Sequence, residues 1–333
     1  MATRGYSGYK GRKSPWKIVA AILLVLVILA AAGVLVLQRY LVYDASGTPH
    51  LRLPGQEEIK TPSSSGGASS SGDLGPVDVT IDPPERQSVL GYLLTAPNAD
   101  LTPYLAPDGD LNAVAVTLKG ADGQLRTDWQ DDETLKSVLS DESRHTIARI
   151  SCFLDGANAR SQVKEMGLEN TGGYIFYDAT NRNWLDPGKP AAREFLLDLI
   201  RQAAEAGFDE ILLTEVFYPT EGKLDKIAYS ADRTESLTLF LTEAKGLLTD
   251  YPGVTLSVAV TDTLLLDGED ETSGQSLSGF AALADAIYAL CEGGDYEAAK
   301  AAVAEAAGGK ATAFVALFDG VGYPPEEYLI PEA

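Results

Sequence analysis

Residues 18–37 read IVAAILLVLVILAAAGVLVL, twenty apolar residues without a single charge. A run of that length does not suit a soluble surface, and at ~1.5 Å per residue one helix of it crosses the ~30 Å hydrocarbon layer of a bilayer. Arg4, Lys10, Arg12, Lys13 and Lys17 precede the run, whereas only Arg39 follows it closely. By the positive-inside tendency, residues 1–17 are a basic cytoplasmic tail, 18–37 a single-pass signal anchor in the cell membrane, and the remainder extracytoplasmic. A cleaved signal peptide is the competing reading, because residues 30–33 (AAAG) offer small side chains at a cut site. The run continues past that site and exceeds the usual ~7–15 residue apolar region of a signal peptide, which favours the anchor.

Residues 38–85 contain TPSSSGGASSSGDLGP, too polar and too rich in Gly and Ser to pack, and are expected to be a flexible linker. Residues 86–333 are the length of one α/β barrel. Hydrophobic residues at 45% and charged residues at 22% exclude disorder of the whole chain. Beyond residue 40 there are 20 basic and 48 acidic side chains, a net charge of −28. Such a surface repels phosphate backbones, so nucleic acid is not expected as a partner.

Cys152 and Cys291 both fall in apolar runs and read as buried thiols, with a disulfide as the minor alternative. The two histidines, His50 and His145, are too few for a His-rich zinc site and argue against Ser-His-Asp or Cys-His chemistry. No Gly-rich phosphate loop, EF-hand pattern or paired CxxC occurs, so neither cofactor nor metal is expected.

After residue 86, short apolar strands alternate with helical patterns, which predicts βα units and a parallel sheet. Candidate strands are 89–95, 112–119, 146–155, 210–216, 254–261, 285–291 and 312–318, with an eighth sought in the last fifteen residues. Helices are predicted at 190–206, opening on Pro190 and closing before Gly207, and at 235–249 and 296–307. The fold expected is a TIM (β/α)8-like barrel, incomplete or irregular if the eighth strand is absent. Strand alternation places Ala113, Ala115, Thr117 and Lys119 toward the barrel axis, with Arg149, Ser151, Phe153 and Asp155 on the next strand and Thr255, Ser257, Ala259 and Thr261 on the fifth.

The segments LNAVAVTLKGADGQL, HTIARISCFLD, NWLDP, AAEAGFDEILLTEVFYP and GVTLSVAV occur in that order over about residues 88–261. Together they resemble a family of bacterial TIM-barrel domains read as putative glycoside hydrolases and related to the α-amylase-like enzymes. The resemblance implies carbohydrate as ligand. It also implies an aspartate at the positions of Thr117 and Thr214 and an arginine at that of Phe217, and this chain departs from all three. Lys119, Arg149, Asp155, Trp184, Asp186, Asp209, Glu210 and Pro219 match.

Glycoside hydrolysis ordinarily uses two carboxyl groups flanking the bond, and a threonine hydroxyl cannot replace either. Asp155 is the leading mouth carboxylate, or else a cap on the helix that follows it. Glu215 is the second catalytic candidate, although strict alternation points it away from the axis unless the strand end is irregular. Lys119 is a ligand contact or the ion-pair partner of Asp155. Arg149 inside the barrel calls for a carboxylate partner. Trp184, Tyr174, Tyr177 and Tyr218 offer rings that can stack on sugars, and Asp262 is a further substrate-binding candidate. Asp186 reads as a turn residue; Asp209 and Glu210, at the opposite end of the barrel, read as structural. Two functions follow, a hydrolase of envelope or extracellular carbohydrate and a catalytically degenerate binding domain. A non-enzymatic domain that binds an envelope protein is the alternative, and the sequence identifies no such protein.

Overall fold

The computed structural model describes residues 41–43, 49–51, 86–104, 110–127, 129–291, 295–318 and 325–332. The chain divides into two units, 1–79 and 80–333. In the first, Leu41–Tyr43 pairs antiparallel with Pro49–Leu51, a short hairpin inside the stretch expected to be linker. The predicted tail and transmembrane helix, 1–17 and 18–37, lie outside the described residues. Among the described residues no helix is long and apolar enough to cross a membrane.

The second unit is a closed parallel barrel of eight strands. They are β1 Leu90–Leu94, β2 Ala113–Lys119, β3 His145–Ser151, β4 Glu210–Thr214, β5 Thr255–Ala259, β6 Ala286–Leu290, β7 Ala313–Leu317 and β8 Tyr328–Pro331. Each pairs with the next in sequence, and β8 closes on β1 through Tyr328↔Leu90 to Pro331↔Leu93. The eighth strand is therefore present where it was sought, and the barrel is complete. This is the α/β TIM-like fold.

Helices alternate with the strands: α1 Glu133–Leu139, α2 Gly156–Ser161, α3 Pro190–Ala206, α4 Arg233–Leu248, α5 Asp262–Asp267, α6 Leu277–Leu283 and α7 Tyr296–Ala306. Helix α3 has the predicted bounds, with Pro190 in its first turn and Gly207 at φ 97° receiving the chain in the left-handed conformation. Asp232 caps α4 by accepting the Glu235 N–H at 3.0 Å, and Thr261 caps α5 through Leu264 N–H at 3.3 Å.

Strand alternation splits the apolar residues into two clusters. Val114, Val116, Leu118, Ile150, Leu213 and Val258 pack outward under the helices with Leu196, Leu237 and Phe240. Leu93, Ala113, Ala115, Ile147, Leu212, Tyr288, Val315 and Leu329 fill the barrel axis. The inward assignment fails at strand ends. β3 ends at Ser151, and Phe153 packs edge-on against Phe240 of α4, in the outer cluster rather than on the axis.

At the N-terminal end of the barrel, Glu210 accepts hydrogen bonds from His145 Nε2 at 2.7 Å and Tyr288 OH at 2.7 Å, all three side chains being buried. Arg86 pairs with Glu327 at 2.5 Å at the same end. Asp209 receives Thr146 N–H at 2.8 Å and its hydroxyl at 2.7 Å, holding β4 to β3. These acids hold strands together, as expected from their place opposite the mouth.

Candidate active site at the barrel mouth

The C-terminal ends of β1 to β4 bring together Thr95, Thr117, Arg149, Thr214 and Glu215. Arg149 extends from β3 toward the mouth, placing Nη1 3.3 Å from Thr117 Oγ1 and 3.4 Å from the Thr95 carbonyl. Its Nη2 lies 3.4 Å from Glu215 Oε1. Thr117 donates its own hydroxyl to the Leu94 carbonyl at 2.7 Å, and Thr214 donates to Glu215 Oε2. The Arg149 and Glu215 side chains are 14% and 20% exposed, so both remain partly open to solvent.

Glu215 reaches this cluster because the backbone breaks the strand pattern. Its φ is 52°, a left-handed conformation that costs a non-glycine residue about 1–2 kcal/mol. β4 ends one residue earlier, and the turn returns the carboxylate to Arg149 instead of leaving it on the helix side. The irregular strand end that Glu215 needed is present, and the carboxylate partner that Arg149 required is Glu215.

Asp155 and Lys119 take the other course open to them. The register between β2 and β3 slips between Thr117 and Lys119, which turns Lys119 into a wholly buried site. Its ammonium lies 3.0 Å from Asp155 Oδ2 and donates to the Ser151 carbonyl at 2.8 Å. Asp155 is equally buried and caps α2, accepting Asn158 N–H at 2.8 Å and Asn158 Nδ2 at 2.9 Å. Gly123, at φ 87°, lies over it so closely that a Cβ would overlap Asp155 Oδ1. This pair is sealed beneath the β2–α1 loop, out of reach of a saccharide.

The aromatic candidates divide by exposure. Trp184 is 2% exposed, donates Nε1 to Asp178 Oδ2 at 3.1 Å, and packs 5.4 Å from the Phe217 ring. Tyr218 is fully buried, donates to Asp186 Oδ1 at 3.3 Å and meets Tyr229 edge-on. Burial first, then the Asp186 charge, push the Tyr218 phenol well above its ordinary pKa; burial likewise raises the Asp186 carboxyl. Both rings are therefore core and cannot stack on a ligand as they stand. Tyr174 at 73% and Tyr177 at 50% exposure remain as platforms. Asp186 makes its turn, accepting Gly188 N–H at 2.9 Å.

Asp262 is exposed at the first turn of α5, where Oδ1 accepts Thr263 N–H at 2.8 Å. It lines a pocket of about 590 Å³ with Leu265, Leu290, Cys291 and Leu317, on the β5–β7 side of the mouth. Cys152 is a buried free thiol, and Cys291 is partly buried. Among the described residues no group of three His, Cys, Asp or Glu could hold a metal ion.

A family model described as "putative glycosyl hydrolase domain" matches residues 104–307. The chain belongs to that putative glycosyl hydrolase domain family. The matched stretch runs from before β2 to the end of α7 and so carries Thr117, Arg149, Thr214 and Glu215. Comparison with curated proteins finds no match. Among solved structures, the glycoside hydrolase domain of PgaB (BpsB) from Bordetella bronchiseptica is 13% identical over 74% of this chain and 93% of that one, with a TM-score of 0.50. It shares the fold. A hypothetical protein from Ruminiclostridium thermocellum is 25% identical over 51% of this chain and 96% of its own, with a TM-score of 0.42. The glycoside hydrolase domain of PelA from Pseudomonas aeruginosa is 15% identical over 69% and 83%, with a TM-score of 0.44.

The domain is thus glycoside-hydrolase-like, and its mouth shows what sequence reasoning missed. Arg149 read as an interior brace, yet it organises the accessible cluster. Its inward position and its charge were the available signal. The left-handed turn at Glu215 has no sequence signature, because glutamate is not a residue that marks such turns.

Proposed function

We propose that this family member is a membrane-anchored, extracytoplasmic carbohydrate-binding barrel that holds a glycan at its mouth without cleaving it. The observation that carries the reading is the mouth cluster itself. The cluster on β1 to β4 holds one partly exposed carboxylate, Glu215, bound by Arg149 and Thr214, while Asp155 is consumed by Lys119 and a helix cap. Hydrolysis needs an acid and a second carboxylate ~5–9.5 Å apart across the bond. Thr117 and Thr214, where the resemblance implies aspartates, supply hydroxyls. Hydroxyls, a guanidinium and a carboxylate are well suited to the hydroxyl groups of a sugar.

Purified full-length chain in detergent is expected to bind oligosaccharides saturably and to release no reducing ends, with binding weakened in Arg149→Ala. Turnover that disappears in Glu215→Gln would replace this reading with a second one, hydrolysis by Glu215 with Asp262. That second reading is favoured by the left-handed backbone at Glu215, since strain of this kind concentrates at working sites. The anchor is residues 18–37, with the N-terminus cytoplasmic. Protease added to intact cells or spheroplasts is expected to digest the barrel, and full protection would overturn that orientation.

A further inference from the structure

A second concavity lies on the same face of the barrel. The excursion between β3 and α3 and the loop between β4 and α4 enclose a pocket of about 670 Å³, lined among others by Asn170, Tyr177, Asp178, Asn181, Lys223 and Lys226. Both walls hang from β3, which carries Arg149, and β4, which ends just before Glu215.

The wall between residues 178 and 184 is pre-shaped. Asp178 gathers five donors: Thr180 N–H and hydroxyl, each at 2.9 Å, Arg182 N–H at 2.9 Å and Nε at 2.8 Å, and Trp184 Nε1 at 3.1 Å. Asn181 takes φ 62° at the tip of this turn, and Gly222, at φ 105°, lets the opposite loop approach the Asp178–Ala179 backbone. A wall fixed in this way loses little freedom when a ligand arrives.

The polar groups around the pocket are largely uncommitted. Asn170 turns Oδ1 to Gly172 N–H at 2.9 Å and Tyr174 N–H at 3.3 Å, leaving its amide nitrogen without a protein acceptor. The side chain of Asn181 and the ammonium of Lys223 make no protein hydrogen bond or ion pair. Tyr177 presents a half-exposed ring beside them. The charge is unusual for this molecule. Asp178 is neutralised by Arg182, Lys226 pairs with Asp225 at 2.6 Å, and Lys223, whose charge also acts on Asp225, makes no direct ion pair on a chain of net charge −22. An aromatic face, amide donors and an exposed ammonium with no direct ion pair suit a sugar ring that bears an anion.

The geometry points to this pocket as an accessory subsite for an anionic saccharide unit, carrying a carboxylate or a phosphate, of the same glycan that reaches the mouth. It rests on the carbohydrate reading of the mouth and adds the charge class of the ligand.

The test uses full-length chain with three probes: maltohexaose, phosphorylated maltohexaose and hexagalacturonate, with binding measured by calorimetry at low and high salt. At least one anionic probe is expected to bind about tenfold more tightly than maltohexaose, the size of one charge-assisted hydrogen bond. That advantage shrinks in high salt and vanishes in Lys223→Ala, and Tyr177→Ala weakens the anionic probe. Preference for the phosphorylated or the uronate probe identifies the anion. Equal binding of neutral and anionic probes overturns the subsite, as does an anionic preference that survives Lys223→Ala, or no binding by protein shown to be folded. Glu215→Gln separates the two readings. Neutral binding lost in Glu215→Gln with no anionic preference leaves the mouth standing and removes the subsite. Anionic binding sensitive to Lys223 but indifferent to both Glu215→Gln and Arg149→Ala does the reverse.

Discussion

Strand β4 begins with one glutamate and is followed by another, and the two live in opposite surroundings. Glu210, at the closed end, is wholly buried and accepts hydrogen bonds from His145 and Tyr288 at 2.7 Å each. Glu215, at the mouth, is 20% exposed, meets Arg149 at 3.4 Å and holds a left-handed backbone. The first carboxylate is satisfied by short bonds in the core and contributes to stability. The second has a long contact to Arg149, partial exposure and a strained backbone, the combination expected of a group kept for a ligand rather than for the fold.

The largest effect should come from the closed end. Glu210→Leu leaves His145 and the Tyr288 hydroxyl without their acceptor, removes a negative charge that acts on Arg86, and should cost roughly 3–5 kcal/mol. Glu215→Gln should change stability by less than about 1 kcal/mol, because its contact to Arg149 is long, part-exposed and keeps an acceptor in the amide. Denaturant unfolding of the two variants compares them directly, and similar losses would break the distinction between the two ends.

Acid should also act through Glu210. Burial works to raise its pKa, but the His145 hydrogen bond and charge, with Arg86, outweigh burial and hold it below the usual range. A carboxyl depressed in the folded state contributes stability that is complete above the unfolded glutamate pKa, about 4.3, and is lost as pH falls through the lower folded value. Unfolding midpoints measured from pH 6 down to about pH 3 should therefore fall more steeply for the native chain than for Glu210→Gln. Parallel curves would show that another acid governs acid unfolding.

Lys119 and Asp155 sharpen the comparison, because they sit near the mouth yet behave like the closed end. Lys119→Met strands a buried carboxylate and should cost about 3 kcal/mol, while adding Asp155→Asn should recover part of that loss. A double variant as unstable as the sum of the two single variants would mean that the pair is not coupled.

The sequence shows the repeating βα order and the strand centres plainly, because apolar alternation over five to seven residues is what a barrel wall requires. It shows strand ends poorly. The apolar run SCFL continues beyond Ser151 although the chain has left the sheet, so Phe153 and Asp155 were counted inward by an alternation that had already stopped. The helices Gly156–Ser161 and Asp262–Asp267 are under two turns long, too short for a periodic signal. At the site, both readings of Asp155 and Lys119 are open to the residue pattern, and only burial decides between them. Trp184 and Tyr218 lie in loops yet belong to the core, because Asp178 and Asp186 draw their polar tips inward. The turn that delivers Glu215 depends on backbone geometry that no spacing reveals.

The smallest predicted effect tests the strain at Glu215 most directly. At φ 52° a side chain costs about 1–2 kcal/mol that glycine avoids, while glycine gives up roughly 0.5–1 kcal/mol through the freedom of the unfolded chain. Glu215→Gly should therefore be as stable as the native chain or up to about 1 kcal/mol more stable. Glu215→Ala keeps the strained backbone and loses the Arg149 contact, so it should be the less stable of the two variants by about 1 kcal/mol. Both should lose glycan binding at the mouth. If Ala proves as stable as Gly, the left-handed turn is not a strained feature retained for its carboxylate, and the contrast between the two ends of β4 reduces to burial alone.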